Sequence, residues 1–218
     1  MNKGVFITFE GPEGSGKTTQ ANLLCDNLEK KGLPILHTRE PGGTVISEKI
    51  RALLLDPGNI KMEPTTELLL YAASRAQHVE ELIRPFLAKG GVVICDRFSD
   101  ATVAYQGYGR QLDMKLIKAL NGIATGGLDP DITFLLDIPT EDGLRKAIHT
   151  LKQYTLPGQG DRMEQAGLEF HKRVRSGYIK LAKNKKRNIK TIDATASIEE
   201  IHSVILNMLE PLIKGPGK

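Results

Sequence analysis

A phosphate-binding pattern lies near the start of the chain. Residues 11–18 read GPEGSGKT, with Gly11 and Gly16 separated by four residues and followed by Lys17 and Thr18. The pattern comes after an apolar, strand-like run and before a helical pattern, so backbone N–H groups and a helix N-terminus can face one anion. Lys17 can reach the β- and γ-phosphates of a nucleotide, and the Thr18 hydroxyl can ligate Mg²⁺. The segment predicts binding of a nucleoside triphosphate; a glycine-rich turn with a chance Lys-Thr pair is the alternative.

Charged residues follow two further runs of strand-forming residues. Asp96 and Arg97 come directly after the apolar run VVIC, and Arg39 and Glu40 follow a second run. Ligands of open parallel sheets bind beyond the carboxyl ends of the strands. We therefore expect Asp96 in the Mg²⁺ shell and Arg97 and Arg39 on phosphate, with a surface ion pair and a tight turn as the alternatives. The Glu40–Pro41 bond is a candidate for the cis isomer, although most X–Pro bonds are trans.

Aromatic and hydrogen-bonding residues at helical spacing are candidates for holding a base. Tyr71 and Arg75 lie four residues apart in an apolar helical pattern, so a ring and a guanidinium project from one face. The alternative is a core tyrosine beside an exposed arginine. Thr102, Tyr105 and Gln106 follow Arg97 at helical spacing, and the amide of Gln106 offers a donor and an acceptor, which suits a pyrimidine edge.

Strands that alternate with helices must position these residues. We predict strands over Val5–Phe9, Ile35–Thr38, Val92–Cys95, Ile132–Asp137 and Asn188–Asp193. We predict helices over Thr18–Lys31 and Leu68–Arg84, the second interrupted or ended at Pro85, and a last helix that opens with Ser197 and Glu200 at capping-box spacing. The alternation predicts an α/β fold in which a five-stranded parallel sheet has helices on both faces.

Composition limits the class of protein. The chain has 218 residues, 40% hydrophobic and 26% charged, which is ordinary for one globular domain and excludes disorder, collagen and a disulfide scaffold. No apolar run approaches the roughly 18 residues of a membrane span, and we see no signal-peptide core. We therefore expect a cytoplasmic protein with reduced thiols at Cys25 and Cys95. The net charge is only +4 and the basic run Lys183–Lys190 contains no aromatic residue, so we expect small anionic substrates, no nucleic acid and no membrane.

Eight stretches spread over nearly the whole chain carry a resemblance to a known family. They are FEGPEGSGKTT at 9–19, TREPGGT at 38–44, EKIRALLL at 48–55, YAASRAQ at 71–77, CDRF at 95–98, ATVAYQGYGR at 101–110, DRMEQ at 161–165 and TIDA at 191–194. In this order they resemble the bacterial thymidylate kinases. The resemblance implies a three-layer P-loop kinase fold with a lid. It also implies transfer of the γ-phosphoryl group of ATP to dTMP in dTTP biosynthesis, giving dTDP and ADP, with Mg²⁺ and usually as a homodimer.

The resemblance further implies roles for individual residues. The donor phosphates are held by Gly11, Pro12, Glu13, Gly14, Ser15, Gly16, Lys17 and Thr18, and Mg²⁺ by Thr18 and Asp96. Glu13 also approaches the deoxyribose hydroxyl. The acceptor dTMP is bound at its phosphate by Arg39 and Arg97, with Arg51 nearby. Tyr105 lies near its sugar, Tyr71 on its thymine face, and Arg75, Thr102 and Gln106 at its polar edge. Catalysis is assigned to Lys17, Arg39, Asp96, Arg97 and Arg162.

The predicted lid departs from the family pattern. Thr150–Gly160 is polar and contains proline and glycine, which is typical of a mobile loop or of a lid over a site. The stretch between Arg145 and Asp161 is longer than the short, arginine-rich lid of the family. Arg162 within DRMEQ is the first candidate for the lid cation, ahead of Arg145 and Lys146. We expect one domain over residues 1–214, with the lid at about 143–164 and a frayed tail at 215–218.

Two other functions are compatible with the phosphate-binding pattern. Another P-loop kinase of a nucleotide or deoxynucleoside would differ in its acceptor, which competition between dTMP, dUMP, CMP and thymidine would identify. A nucleic-acid-linked ATPase would turn over ATP without dTMP and would be stimulated by DNA.

Overall fold

Apolar and β-branched residues make up most of five short strands, which pair into one sheet. The computed structural model describes residues 4–154, 162–163 and 166–213. The strands are β1 (Val5–Glu10), β2 (Ile35–Arg39), β3 (Val92–Asp96), β4 (Ile132–Asp137) and β5 (Ile189–Asp193). Their order is β2-β3-β1-β4-β5, and every neighbouring pair is parallel. The predicted α/β fold with a five-stranded parallel sheet is confirmed.

The register of the sheet brings polar strand ends to one edge. Phe9 near the end of β1 is level with Asp96, and Arg39 at the end of β2 is level with the same aspartate. Asp137 at the end of β4 is level with Asp193 of β5. Because the carboxyl ends of parallel strands meet at one edge, the polar residues that end β1, β2 and β3 converge there.

Helices cover both faces of the sheet. They are α1 (Lys17–Glu29), α2 (Val45–Leu55), α3 (Pro64–His78), α4 (Arg84–Ala88), α5 (Ser99–Thr102), α6 (Met114–Thr125), α7 (Thr140–Tyr154), α8 (Leu168–Ala182) and α9 (Ile198–Ile213), with a 3-10 turn at Pro57–Asn59. Side chains alternate along β1, so Ile7 and Phe9 pack with α1 and α9, whereas Phe6 packs on the other face with Val79 and Phe98. The predicted helices on both faces of the sheet are thus confirmed.

Two predicted helix boundaries have different outcomes. The predicted capping box opens the last helix, since the backbone N–H of Glu200 donates to Ser197 Oγ at 3.2 Å and that of Ser197 donates to Glu200 Oε2 at 3.0 Å. Of the two outcomes predicted at Pro85, an end of the helix is wrong. The α-helix is instead interrupted just before Pro85 by a π-helical turn, Val79–Ile83, and resumes in α4. The wider turn places Pro85 in the first turn of α4, where its ring and missing N–H are tolerated. A second π-helical segment, Val103–Gly109, follows α5.

The described part of the predicted lid is mostly helical. Apolar residues at 144, 147, 148 and 151 repeat at helical spacing, and α7 extends to Tyr154. The predicted loop at Thr150–Gly160 is therefore wrong over its first five residues, and 155–160 lie outside the described residues, as does the predicted tail. In the part of the chain that the structure describes, we find no helix with the length and apolar character of a membrane span.

Candidate active site

A cavity of about 920 Å³ opens at the carboxyl edge of the sheet. One end is lined by the phosphate loop (residues 11–18), the start of α1 and residues of α7, and the other end by α2, α3 and the π-helical segment after α5. Its volume lies within the range of small-molecule sites. The predicted site residues that line it are Glu13, Gly14, Ser15, Gly16, Lys17, Thr18, Arg39, Arg51, Tyr71, Arg75, Asp96, Arg97, Thr102, Tyr105 and Gln106.

Backbone conformation and close packing both require glycine in the phosphate loop. Gly14 and Gly16 have φ angles of 68° and 85°, which side-chain-bearing residues rarely adopt. A Cβ atom on Gly14 would also overlap the carbonyl oxygen of Gly143 in α7. Gly16 is the N-cap of α1 and leads the chain directly into that helix. The loop and the helix N-terminus can therefore present N–H groups to phosphate together, as the sequence predicts.

The Lys17 ammonium group is buried inside the phosphate loop. Its Nζ donates to the carbonyl oxygen of Pro12 at 2.8 Å and to Ser15 Oγ at 3.3 Å. Burial and the charge of the nearby Arg97 guanidinium lower the pKa of Lys17 from 10.5 to about 8, against the raising effect of Glu13. A phosphate in the loop would favour the charged form, so Lys17 is suited to bind one.

The predicted metal ligands are neighbours. The hydroxyl of Thr18, in the first turn of α1, donates to Asp96 Oδ2 at 2.5 Å. Both side chains line the cavity at its phosphate-loop end. A hydroxyl and a carboxylate are hard oxygen donors, which are the ligands that Mg²⁺ prefers.

Arg97 joins the end of β3 to the phosphate loop. Its NH1 donates to the carbonyl oxygen of Gly11 at 3.0 Å, and its NH2 donates to Glu13 Oε1 at 2.8 Å. The Tyr105 hydroxyl donates to the same Glu13 oxygen at 2.8 Å, and the Arg97 guanidinium lies over the Tyr105 ring. Burial acts to raise the pKa of Glu13, but the charges of Arg97 and Lys17 outweigh it and lower this pKa to about 2. Glu13 is therefore an anion that holds Arg97 against the loop.

Two more of the predicted arginines line the same cavity as Arg97. Arg39 is half-exposed, and its NH2 donates to both carboxylate oxygens of Glu48 at 3.1 Å. Arg51 NH1 donates to the carbonyl oxygen of Pro41 at 2.8 Å, and the Glu40–Pro41 peptide bond is cis. The structure thus brings three guanidinium groups to the same cavity.

The residues predicted to hold a base line the far end of the cavity. Arg75 is buried rather than exposed: its Nε donates to Glu40 Oε2 at 2.7 Å, its NH1 to Asn121 Oδ1 at 2.9 Å and its NH2 to the carbonyl oxygen of Phe98 at 3.0 Å. The buried hydroxyl of Thr102 has no hydrogen-bond partner within the described residues. An unpaired buried hydroxyl at a cavity wall is a contact point for a polar ligand.

The structure places the predicted lid cation at a different position. Arg162 NH1 lies 2.5 Å from Glu67 Oε2, and its Nε donates to the carbonyl oxygen of Leu54 at 3.0 Å. Arg162 is not among the described residues that line the cavity, whereas Arg145 and Lys146 of α7 are. An internal carboxylate, which the sequence does not signal, attracts the arginine, so its role at a γ-phosphate stays a prediction.

Sequence reasoning missed a pair of groups behind Arg97. The Tyr178 hydroxyl on α8 donates to Glu10 Oε2 at 2.8 Å and accepts from Arg97 NH1 at 3.2 Å. Glu10 Oε1 accepts from the backbone N–H of Phe98 at 2.8 Å. Burial and the neighbouring Asp100 charge raise the pKa of Glu10 to about 8. The position of Glu10 at the end of β1 could have indicated a site role, but no local pattern marks Tyr178.

A second missed cluster lies behind Arg75. Glu40 Oε1 is 3.1 Å from His78 Nδ1, and His78 Nε2 is 2.7 Å from Thr38 Oγ1. All three residues are buried. The sequence predicts a phosphate contact at Arg39, with a tight turn as the alternative, but it does not indicate a site role for His78, because the partners of His78 lie about 40 residues away in the chain.

Known proteins are similar to this chain over most of its length. The thymidylate kinase family model matches residues 9–205. The chain is 53% identical over 197 residues to the thymidylate kinase of Geotalea daltonii, a match that covers 90% of this chain and 92% of the relative. It is 48% identical over 209 residues to the thymidylate kinase of Lactobacillus helveticus, covering 95% of this chain and 96% of the relative.

A solved structure is similar over the same extent. The crystal structure of thymidylate kinase from Ehrlichia chaffeensis superposes with a TM-score of 0.75 at 35% identity, and the match covers 95% of this chain and 98% of that one. Because matches of this quality extend from the phosphate loop to the last helix, the chain belongs to the thymidylate kinase family.

Proposed function

We propose that the cavity of this thymidylate kinase holds ATP and dTMP end to end, so that the γ-phosphoryl group passes directly to the dTMP phosphate. The observation that carries the proposal is the direct contact between the two predicted phosphate sites. Arg97, on the acceptor side, donates to Glu13 and to the carbonyl oxygen of Gly11 in the phosphate loop. Phosphates bound at the two sites would therefore meet between Lys17 and Arg97.

Charge compensation is the main task of the protein in this transfer. Phosphoryl transfer needs aligned oxygens and stabilised charge, and a phosphate acceptor needs no strong general base. Lys17 binds the donor phosphates, and Arg97 and Arg39 bind the acceptor phosphate. Arg39 is half-exposed and pairs with Glu48 at the surface, so it can turn to the ligand at small cost.

Three residues are candidates for the lid cation that would contact the donor phosphates. Arg145 and Lys146 line the cavity from α7 and can face the donor phosphates. Arg162 takes this role only if its ion pair with Glu67 opens. A cation supplied from this side would also exclude water, which otherwise competes with dTMP for the phosphoryl group.

Magnesium would be held by Thr18 and Asp96. Their oxygens lie 2.5 Å apart at the phosphate-loop end of the cavity. Mg²⁺ usually takes one or two carboxylates together with water and phosphate oxygens, so this pair fits the ion although the described residues contain no cluster of three His, Cys, Asp or Glu side chains. When bound, the ion neutralises part of the phosphate charge.

The acceptor base would lie at the far end, between Tyr71 on one side and the side chains of Thr102 and Gln106 on the other. The position of all three at the cavity wall supports this placement. Glu13 of the phosphate loop accepts a hydrogen bond from Tyr105 of the π-helical segment, so this pair joins the two ends of the cavity and suits a sugar hydroxyl.

An acceptor panel tests the proposal. ADP formation is followed by a coupled assay with ATP and Mg²⁺, using dTMP, dUMP, CMP or thymidine as acceptor. We expect turnover to depend on dTMP and to be slow with CMP and thymidine. ATP turnover without an acceptor, or stimulation of turnover by DNA, would instead support an ATPase.

A homodimer is the proposed state in solution. Helix α3 packs against both α2 and α6, and the three helices expose large apolar side chains: Val45, Ile46, Leu53, Leu69, Leu116 and Ile123. A surface patch of this kind is typical of a protein interface, and a second copy covers it symmetrically. We also propose a cytoplasmic location, which suits the two buried free thiols, Cys25 and Cys95.

A further inference from the structure

One buried carboxylate beneath the base end of the cavity has no role in the scheme above. Glu67 on α3 is fully buried. Its Oε1 accepts from Gln106 Nε2 at 2.7 Å and from Arg110 Nε at 3.2 Å. Its Oε2 accepts from Arg110 NH2 at 3.0 Å and pairs with Arg162 NH1 at 2.5 Å. Both oxygens are thus occupied by donors from two other segments of the chain.

The two arginines keep Glu67 ionised. Burial acts to raise the pKa of Glu67, but hydrogen bonds from Arg110 and Gln106 and the charge of Arg162 outweigh it, so that the pKa is lowered. An ionised carboxylate can only accept hydrogen bonds, whereas a protonated one could also donate. Because the arginines keep it ionised, Glu67 can only accept hydrogen bonds from its neighbours.

This restriction sets the orientation of the Gln106 amide. A glutamine amide can present either its NH₂ group or its carbonyl oxygen in a given direction. Here the NH₂ group must face Glu67, so Oε1 is the atom left for a ligand in the cavity that Gln106 lines. The Gln106 amide, which could otherwise donate or accept, therefore presents a hydrogen-bond acceptor to the ligand.

We propose that Glu67 is a specificity-determining positioning residue, which fixes Gln106 as an acceptor for the N3–H group of the thymine ring. In a thymine nucleotide N3–H is the only ring N–H donor, so an acceptor on the protein has one possible partner in the ring. Cytosine has a lone pair at N3 and is repelled at the same point. This inference rests on the proposed placement of dTMP in the cavity.

The size of the effect follows from the loss of a buried hydrogen bond. Sites that hydrogen-bond a substrate N–H reject analogues without it by large factors, because the buried partner on the protein is left unpaired. We therefore expect the ratio of kcat/KM for dTMP to that for dCMP to depend on Glu67, even though Glu67 does not touch either nucleotide.

The decisive variant is Glu67→Gln, which keeps the size of the side chain. The introduced amide can donate or accept, so Gln106 is free to turn. We expect the ratio of kcat/KM for dTMP to kcat/KM for dCMP to fall at least tenfold, because kcat/KM for dCMP rises relative to that for dTMP. The double variant Glu67→Gln/Gln106→Glu again places an acceptor at position 106 and should restore the preference for dTMP.

Arg110→Gln is the matched control. It removes two hydrogen bonds from Glu67 but leaves the bond to Gln106 and the ion pair with Arg162, which keeps Glu67 ionised and an acceptor. It should lower the melting temperature without changing the ratio. An unchanged ratio in folded Glu67→Gln, or an equal fall in Arg110→Gln, would overturn the inference.

A second measurement avoids variants of Glu67 that fail to fold. In the complex of wild-type protein with ¹⁵N-labelled dTMP, the N3 imino proton should be visible by NMR and protected from exchange with water, and Gln106→Ala should remove that protection. An unprotected imino proton in the wild-type complex would contradict the inference. If wild-type protein does not phosphorylate dTMP at all, the proposed function fails instead, so the two failures are distinguishable.

Discussion

At the scale of single residues, the charged side chains of the site fix one another in position. Glu13 binds Arg97 and receives the Tyr105 hydroxyl, while Tyr178 joins Arg97 to Glu10. Pairs of this kind orient the cations before a ligand arrives, so less ordering is needed on binding. The consequence is that removing one charge changes both the chemistry and the protonation of its neighbours.

Lys17→Ala should remove most turnover without unfolding the protein. Burial lowers the pKa of Lys17, which means that its charge costs folding free energy rather than supplying it. We expect kcat/KM to fall on the order of 10³-fold, with no drop in melting temperature. The control is Lys172→Ala. Lys172 is exposed and pairs only with Glu141 and Glu169 among the described residues, so its loss should change neither kcat/KM nor the melting temperature. Near-normal turnover in folded Lys17→Ala would refute its role.

Glu10 should make stability depend on pH. Its ordinary pKa of 4.5 is raised to about 8 in the folded protein, so between these values the folded state holds a proton that the unfolded state has released. Stability from this group is therefore complete below about pH 4.5 and lost as pH rises through about 8.

Glu10→Gln isolates this effect from every other titrating group. The free energy of unfolding of wild type minus that of the variant should fall by on the order of a few kcal/mol from pH 5 to pH 8. Urea unfolding of both proteins at the two pH values measures the difference. A difference that is constant with pH would show that Glu10 titrates normally.

At the scale of elements, two glycines let α7 lie directly on the phosphate loop. A Cβ atom on Gly143 would overlap the carbonyl oxygen of Glu13, and one on Gly14 would overlap the carbonyl oxygen of Gly143. Backbone atoms cannot move aside as a flexible side chain can. The contact therefore couples the predicted lid helix to the loop that binds the donor phosphates.

Gly143→Ala and Gly122→Ala should have opposite effects, although both place alanine in a helix. At Gly122 in α6 a Cβ atom meets nothing within 4 Å, so alanine should stabilise the protein by about 0.5–1 kcal/mol. At Gly143 the helix gain is overcome by overlap, and we expect a lower melting temperature and KM for ATP raised about tenfold or more. Thermal melts measure the stability of both variants, and initial rates measure KM for ATP. A Gly143→Ala variant that is more stable than the wild type would contradict the close approach of α7 to the phosphate loop.

At the scale of the whole molecule, the apolar surface of α2, α3 and α6 predicts assembly. Light scattering of the wild type should give twice the chain mass of 23.9 kDa. Leu53→Glu places a charge within that surface and should shift the mass to one chain. Val204→Glu, on α9 across the sheet, should leave the mass unchanged. A wild type that is monomeric at micromolar concentration would rule out the homodimer.

The amino-acid sequence by itself determined the sheet, the phosphate loop and the capping box of the last helix. Each depends on residues that are neighbours in the chain: apolar runs, glycines at fixed spacing, and Ser197 three residues before Glu200. The placement of most of the predicted site residues at one cavity also follows, because parallel strands end at the same edge.

Only the tertiary structure decided which groups these residues contact. Gln106 meets Glu67 across 39 residues, Arg97 meets Glu13 across 84, and Arg162 reaches the carbonyl oxygen of Leu54 across 108. No periodicity encodes such pairs, because they form where unrelated segments pack and a buried charge must find whatever partner lies beside it. For the same reason the sequence could place Arg162 in the lid but not at Glu67.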